Sequence, residues 1–164
     1  MAKSRSIVNY SCKRISYHTP LSFGEVRARL DRALNKSEAS AQVSKVLYET
    51  KNKAEFLGEL VHHPWVRTYT ESPDAPQAVV YTFGNPFFGQ SVLRRAMWMG
   101  LHVPEKLLLL EDVDGNGTTI IYDEPADIIP VPAVEGQTVD EDLFKFIVGV
   151  GEKIQKLVES LVAE

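Results

Sequence analysis

The chain has one cysteine in 164 residues, two tryptophans, and no apolar run that approaches the ~20 residues a membrane span needs. A single cysteine excludes an internal disulfide and any cysteine-rich metal site. Cys12 falls in a β-like pattern with Val8 and Tyr10 and is expected as an inert core residue. There is no glycine-rich phosphate loop, no G-x-S-x-G elbow and no H-E-x-x-H pair, so the best-known nucleotide, serine-hydrolase and zinc-protease chemistries find no motif here. Positive charge is in deficit, with 18 Lys and Arg against 22 Asp and Glu, a net charge of −4 and a pI of about 5.6. That balance argues against a nucleic-acid partner, which needs a coherent basic face. The opening MAKSRS has no apolar signal core behind it. The expectation is a cytoplasmic protein with no membrane contact.

Charge is unevenly spread. Residues 1–36 carry eight basic and two acidic side chains, residues 105–142 one basic and eleven acidic. The bland account is that the two segments lie side by side in the fold. Apolar residues at 44% and charged residues at 24% are ordinary for a globular chain, and the length suits a single domain over 1–164.

Residues 6–18 read as a β segment with a parity slip near Lys13-Arg14. Residues 21–35 read as a helix: Ser22 and Glu25 make an S-x-x-E capping box, Leu21 and Val26 a hydrophobic staple, and Val26, Leu30, Ala33 and Leu34 share a face. An inserted helical segment over 36–64 ends at His62-His63-Pro64. WVRTYT and AVVYTF read as two strands around a proline-containing loop, followed by GNPFFGQ and a helix through SVLRRAMWMG. EKLLLLED, DGNG and TTIIYD form a hairpin. After the linker PADIIPVPAVEGQ, Thr138 and Glu141 suggest a capping box opening a C-terminal helix over 138–162. Its Leu143, Phe146, Ile147, Val150, Ile154, Leu157, Val158 and Leu161 form a long apolar face. The order β-α-(α)-β-β-α-β-β-α predicts an α+β two-layer domain, a mostly antiparallel sheet of about five strands backed by helices.

YHTPLSFGEVRARLDRAL, TFGNP, GLHVPEKLLLLEDVDG and TTIIYDEPA together resemble family three-zero-two of the domains of unknown function. Gly84-Asn85-Pro86, Pro104, Glu111-Asp112, Asp123 and Pro125 stand where its recurring motifs fall. The resemblance covers residues 7–34 and 79–128, and the segment 36–78 departs from it. It implies a curved antiparallel sheet backed by helices, similar to half of the TATA-binding-protein saddle, and it implies no activity or cofactor.

GNPFFGQ is the most informative stretch. Asn85 is a favoured N-cap, Pro86 suits the first helical position, and Gly84 gives the corner flexibility. Adjacent helical positions point about 100° apart, so Phe87 and Phe88 are expected to split, one into the core and one toward a pocket or partner. Arg94 and Trp98 are i,i+4 neighbours if the helix continues, able to stack or to clamp a carboxylate. His63 lacks neighbours with ligand spacing, so no metal is expected.

Two functions follow. One is a small-molecule-binding domain whose pocket, between the sheet and the 62–102 region, is lined by Trp65, Tyr81, Asn85, Phe87, Phe88, Arg94 and Trp98. If it is a cofactor-free isomerase or lyase acting on a small organic acid or carbonyl compound, His63 or Tyr81 would move the proton, with Arg94 or the Asn85 corner holding the oxyanion. The other is a non-enzymatic homodimeric module. The strands VVYTF and LLLL lack the alternation of a sheet with one solvated face, so a partner subunit, the inserted helix or a ligand should cover the second face.

Overall fold

The computed structural model describes residues 5–35, 65–69, 75–84, 86–113 and 115–163, and for 65–69, 86 and 87 the backbone alone. Five strands, β1 (Arg14–Thr19), β2 (Trp65–Tyr69), β3 (Ala78–Phe83), β4 (Glu105–Glu111) and β5 (Thr118–Asp123), form one antiparallel sheet in the order β1-β5-β4-β3-β2. With them stand helices α1 (Phe23–Ala33), α2 (Pro86–Arg95), α3 (Pro125–Ile128) and α4 (Glu141–Val162), and a 3₁₀ turn at Met97–Leu101. This is the α+β class expected. The inserted helical segment and its histidines lie outside the described residues.

The two-residue period of the strands divides the sheet cleanly. Val79, Tyr81 and Phe83 of β3, Leu107 and Leu109 of β4, and Ile120 and Tyr122 of β5 are buried together with Phe23, Val26, Leu30 and Leu34 of α1 and its end, and with Ile154, Val158 and Leu161 of α4. Helices α1 and α4 thus cover one face. The unbroken run LLLL resolves into two fully buried leucines on this face and two half-buried ones, Leu108 and Leu110, on the other. A second cluster joins Val92 and Ala96 of the α2 segment and Met99 to Ile129, Leu143 and Ile147.

The antiparallel pairing of β1 with β5 also accounts for the charge asymmetry. Arg14 stands opposite Asp123 and bonds it through Nε at 2.8 Å, and Lys13 Nζ lies 3.4 Å from Asp127. Two basic side chains of the N-terminal segment are thus paired with carboxylates of the acidic one.

Local signals held where the side chain had a backbone partner to satisfy. Ser22 caps α1, its hydroxyl accepting from the Glu25 N–H at 3.3 Å. Others shifted. The first strand begins at Arg14, not at residue 6. Cys12 is therefore exposed, because no neighbouring strand pairs with that stretch. Helix α4 is capped by Asp140, whose carboxylate accepts from Leu143 N at 2.9 Å, and not by Thr138. Asp at the N-cap has a charge as well as an acceptor to offer the helix end. The expected linker holds the short helix α3 with Pro125 at its start. It packs on α4 where Gly151 leaves room: a side chain there would run into the Glu124 carboxyl.

Loss of an N-cap acceptor costs about 1 kcal/mol. Ser22→Ala should lower the unfolding free energy by that amount, moving the denaturant midpoint down at an unchanged slope, whereas an unchanged midpoint would show that α1 does not depend on this cap.

Candidate functional site

Strand β4 opens on Glu105, which shares the parity of Leu107 and Leu109 and stands opposite Phe83 of β3. The side chain is therefore delivered to the covered face, at the end of the core, and is only 7% exposed. Among the described residues its Oε1 has no hydrogen-bond partner. The other oxygen lies against Gly84, where an added Cβ would stand 3.2 Å from Oε2 and 3.2 Å from Pro104 Cβ. A side chain at this corner would fit tightly, with Glu105 and Pro104 having to give by a few tenths of an ångström, so the glycine here eases a close approach. Burial pushes the Glu105 carboxyl up from its ordinary 4.5 to about 7.

Glu105 lines a cavity of about 510 Å³, a volume typical of small-molecule sites. The rest of the wall comes from Ala33 and Leu34 at the end of α1, Phe83 and Gly84 at the end of β3, Phe88 and Ser91 of α2, and Phe146, Val150, Lys153, Ile154 and Leu157 of α4. Phe88 and Phe146 stack with ring centroids 5.0 Å apart and planes at 30°. On α4 the apolar stripe is wider than the core it closes. Ile147, Ile154 and Val158 are buried, whereas Phe146, Val150 and Leu157 at its margin are less so and supply the wall.

Of the residues singled out from the sequence, the structure brings Phe88 to this cavity. Tyr81 is fully buried elsewhere in the core, donating its hydroxyl to Asp31 Oδ1 at 2.6 Å. Burial and that carboxylate hold the phenol well above its ordinary range, which suits a structural hydrogen bond better than proton exchange. Arg94 is exposed on α2. Trp98 is half-buried against the second cluster, with its indole Nε1 unpartnered among the described residues. The pairing of Arg94 with Trp98 at i,i+4 does not form, because α2 ends at Arg95 and Ala96 is extended before the 3₁₀ turn. Trp65 sits in β2, with only its backbone described. The Phe87 side chain, Asn85 and His63 lie outside the described residues.

Sequence reasoning assigned none of Glu105, Phe146 and Lys153 to a site, and Phe146 was read only as part of the apolar face of the C-terminal helix. The signal for Glu105 was available: in a buried strand the residue two before Leu107 must share its face. A polar cluster also stands at the opposite end of β1. Thr119 donates to Asp112 Oδ1 at 2.9 Å, and Asp112 Oδ2 lies 3.1 Å from Nδ1 of His18, whose side chain is largely in solvent. Among the described residues no group of three or more His, Cys, Asp and Glu side chains is arranged to hold a metal, and no helix is long and apolar enough to cross a membrane.

A family model described as "Domain of unknown function DUF302" matches residues 15–161, spanning the segment where the motif resemblance lapses. The crystal structure of an uncharacterized conserved DUF302 protein from Bacillus stearothermophilus superposes with a TM-score of 0.61 at 14% identity, over 92% of this chain and 98% of that one. At that identity the likeness speaks to the fold. Comparison with curated proteins gives no match.

A carboxyl whose folded value lies above its unfolded one binds its proton more tightly in the folded state. Stability should therefore be highest below about pH 4.5, fall as pH rises toward 7, and level off above it, apart from other groups. The full span corresponds to on the order of 3 kcal/mol. Glu105→Gln should remove this slope and be more stable than the native chain at alkaline pH. Parallel pH–stability curves for the two proteins would contradict the assignment.

Proposed function

The chain belongs to the DUF302 family, and within it we propose that this member binds a small, largely apolar organic molecule in the cavity over Glu105. The observation that carries the reading is the enclosed Glu105 carboxyl on a mostly apolar wall, with an oxygen left unpartnered among the described residues. Burying such a group costs several kcal/mol unless it is satisfied or neutralised. A stable fold gains nothing from it, whereas a binding site gains a directional anchor. Glu105 also takes over the proton-transfer role that the sequence suggested for His63 or Tyr81. A carboxyl that titrates near neutrality can give and take a proton beside a substrate carbonyl, the chemistry of a cofactor-free isomerase or lyase. An organic acid is the less suitable substrate, because Arg94, the residue expected to clamp its carboxylate, is exposed on α2.

Phe88 tests the binding reading. A ligand resting on its ring should lose about 1–3 kcal/mol of affinity on Phe88→Ala, a five- to hundred-fold change. Because Phe88 is half-buried, the fold should lose less than the ~3–5 kcal/mol of a core phenylalanine. A thermal-shift screen of small organic compounds, run on both proteins, should find compounds that stabilise the native chain and not the variant. A screen in which no compound shifts the native chain counts against binding.

A second reading, homodimer assembly, is favoured by the other sheet face. Val80, Leu108 and Ile121 lie in register across β3, β4 and β5 and are half-buried. Light scattering behind a sizing column should give twice the 18.4 kDa chain mass, and Leu108→Glu should halve it. A native chain that runs as a monomer at tens of micromolar removes this reading.

A further inference from the structure

We propose that the cavity over Glu105 takes an organic cation, a protonated amine carried on an aromatic or branched aliphatic body. This rests on reading the cavity as a small-molecule site and adds the charge class of its occupant. Three features of the wall converge on it. First, the enclosed ionisable group on the wall is a carboxyl, 7% exposed; its Oε1 is sealed from water and unpartnered among the described residues, so an occupant meets the rest of the group, beside Gly84. A carboxylate is acceptor-only, whereas an ammonium supplies up to three donors and the opposite charge. Such charge-assisted bonds are roughly twice as strong as neutral ones.

Second, the stacked rings of Phe88 and Phe146 flank the same space. Aromatic faces attract cations and receive an apolar body equally well. Third, Lys153, the cation among the lining residues, is exposed. A lysine there lays its methylene stem along the wall and keeps its ammonium in water, so it does not serve as the internal counter-ion of Glu105. No ion pair joins the two in the structure. A carboxylate ligand would meet Glu105 as a like charge and would bind only with uptake of a proton. A neutral donor would be accepted without the charge gain.

The test uses the full chain and three probes of matched size: phenethylamine, phenethyl alcohol and hydrocinnamate. Calorimetric titration at about pH 8 keeps the amine protonated and Glu105 ionised. Phenethylamine should bind at least about tenfold more tightly than the alcohol, and Glu105→Gln should erase that advantage, bringing the two probes to similar affinity. A thermal melt confirms that the variant is folded, and the ranking of probes on the native chain stands independently of it. If hydrocinnamate binds best and Lys153→Met abolishes its binding, the cavity is an anion site: the cation proposal falls and the small-molecule reading survives. If the amine and the alcohol bind alike, the charge class is overturned as well. If none of the three binds, both readings fail together.

Discussion

Strand β4 runs Glu105-Lys106-Leu107-Leu108-Leu109, and because alternate residues share a face, burying Leu107 and Leu109 carries Glu105 to the covered side as well. A one-residue slip would free the carboxyl, but it would also turn both leucines to the outer face and pair Phe83 with Lys106. The hydrophobic stabilisation of the sheet thus holds the charge in place. Two features of the site follow from that coupling: the carboxyl pushed up to about 7 and its close approach to Gly84.

The helices complete the cavity by covering the sheet incompletely. α1 and α4 pack over β3, β4 and β5 along their central stripes, and Phe146, Val150 and Leu157 at the margin of α4 line the cavity. Phe146 from α4 and Phe88 from α2 meet there. The corner from β3 into α2 brings Gly84 and Phe88 to the same wall.

Much of the architecture was legible in the sequence because it rests on local rules. The S-x-x-E box located α1, the Asp-Gly and Asn-Gly pairs located the β4–β5 hairpin, and the periodicity of residues 143–161 located α4 and its contact face. The charge asymmetry was legible too, since pairing β1 with β5 sets Arg14 against Asp123. The end of α2 was not. RRAMWMG has no proline or glycine before Gly100 to stop a helix, and the break at Ala96 is accompanied by burial of Ala96 and Met99 in the second cluster, a tertiary event. The site was half legible. Phe88 was marked by its position beside a second phenylalanine, whereas Phe146 and Lys153 reach the wall from more than fifty residues away and carry no local sign of it. Glu105 was marked by its parity with Leu107 and Leu109, a signal that the reading of EKLLLLED as one strand of a hairpin did not use.

The account stands on the state of one carboxyl group. Titration of the Glu105 side-chain carboxyl by carbon NMR, assigned through Glu105→Gln, measures it directly. With the carboxyl buried, the expected midpoint is near 7, and it should move downward when an ammonium probe saturates the cavity and stabilises the ionised form. A midpoint at the ordinary 4.5 of a solvated glutamate, indifferent to any probe, would mean that the carboxyl is not enclosed and that the cavity is not built around it.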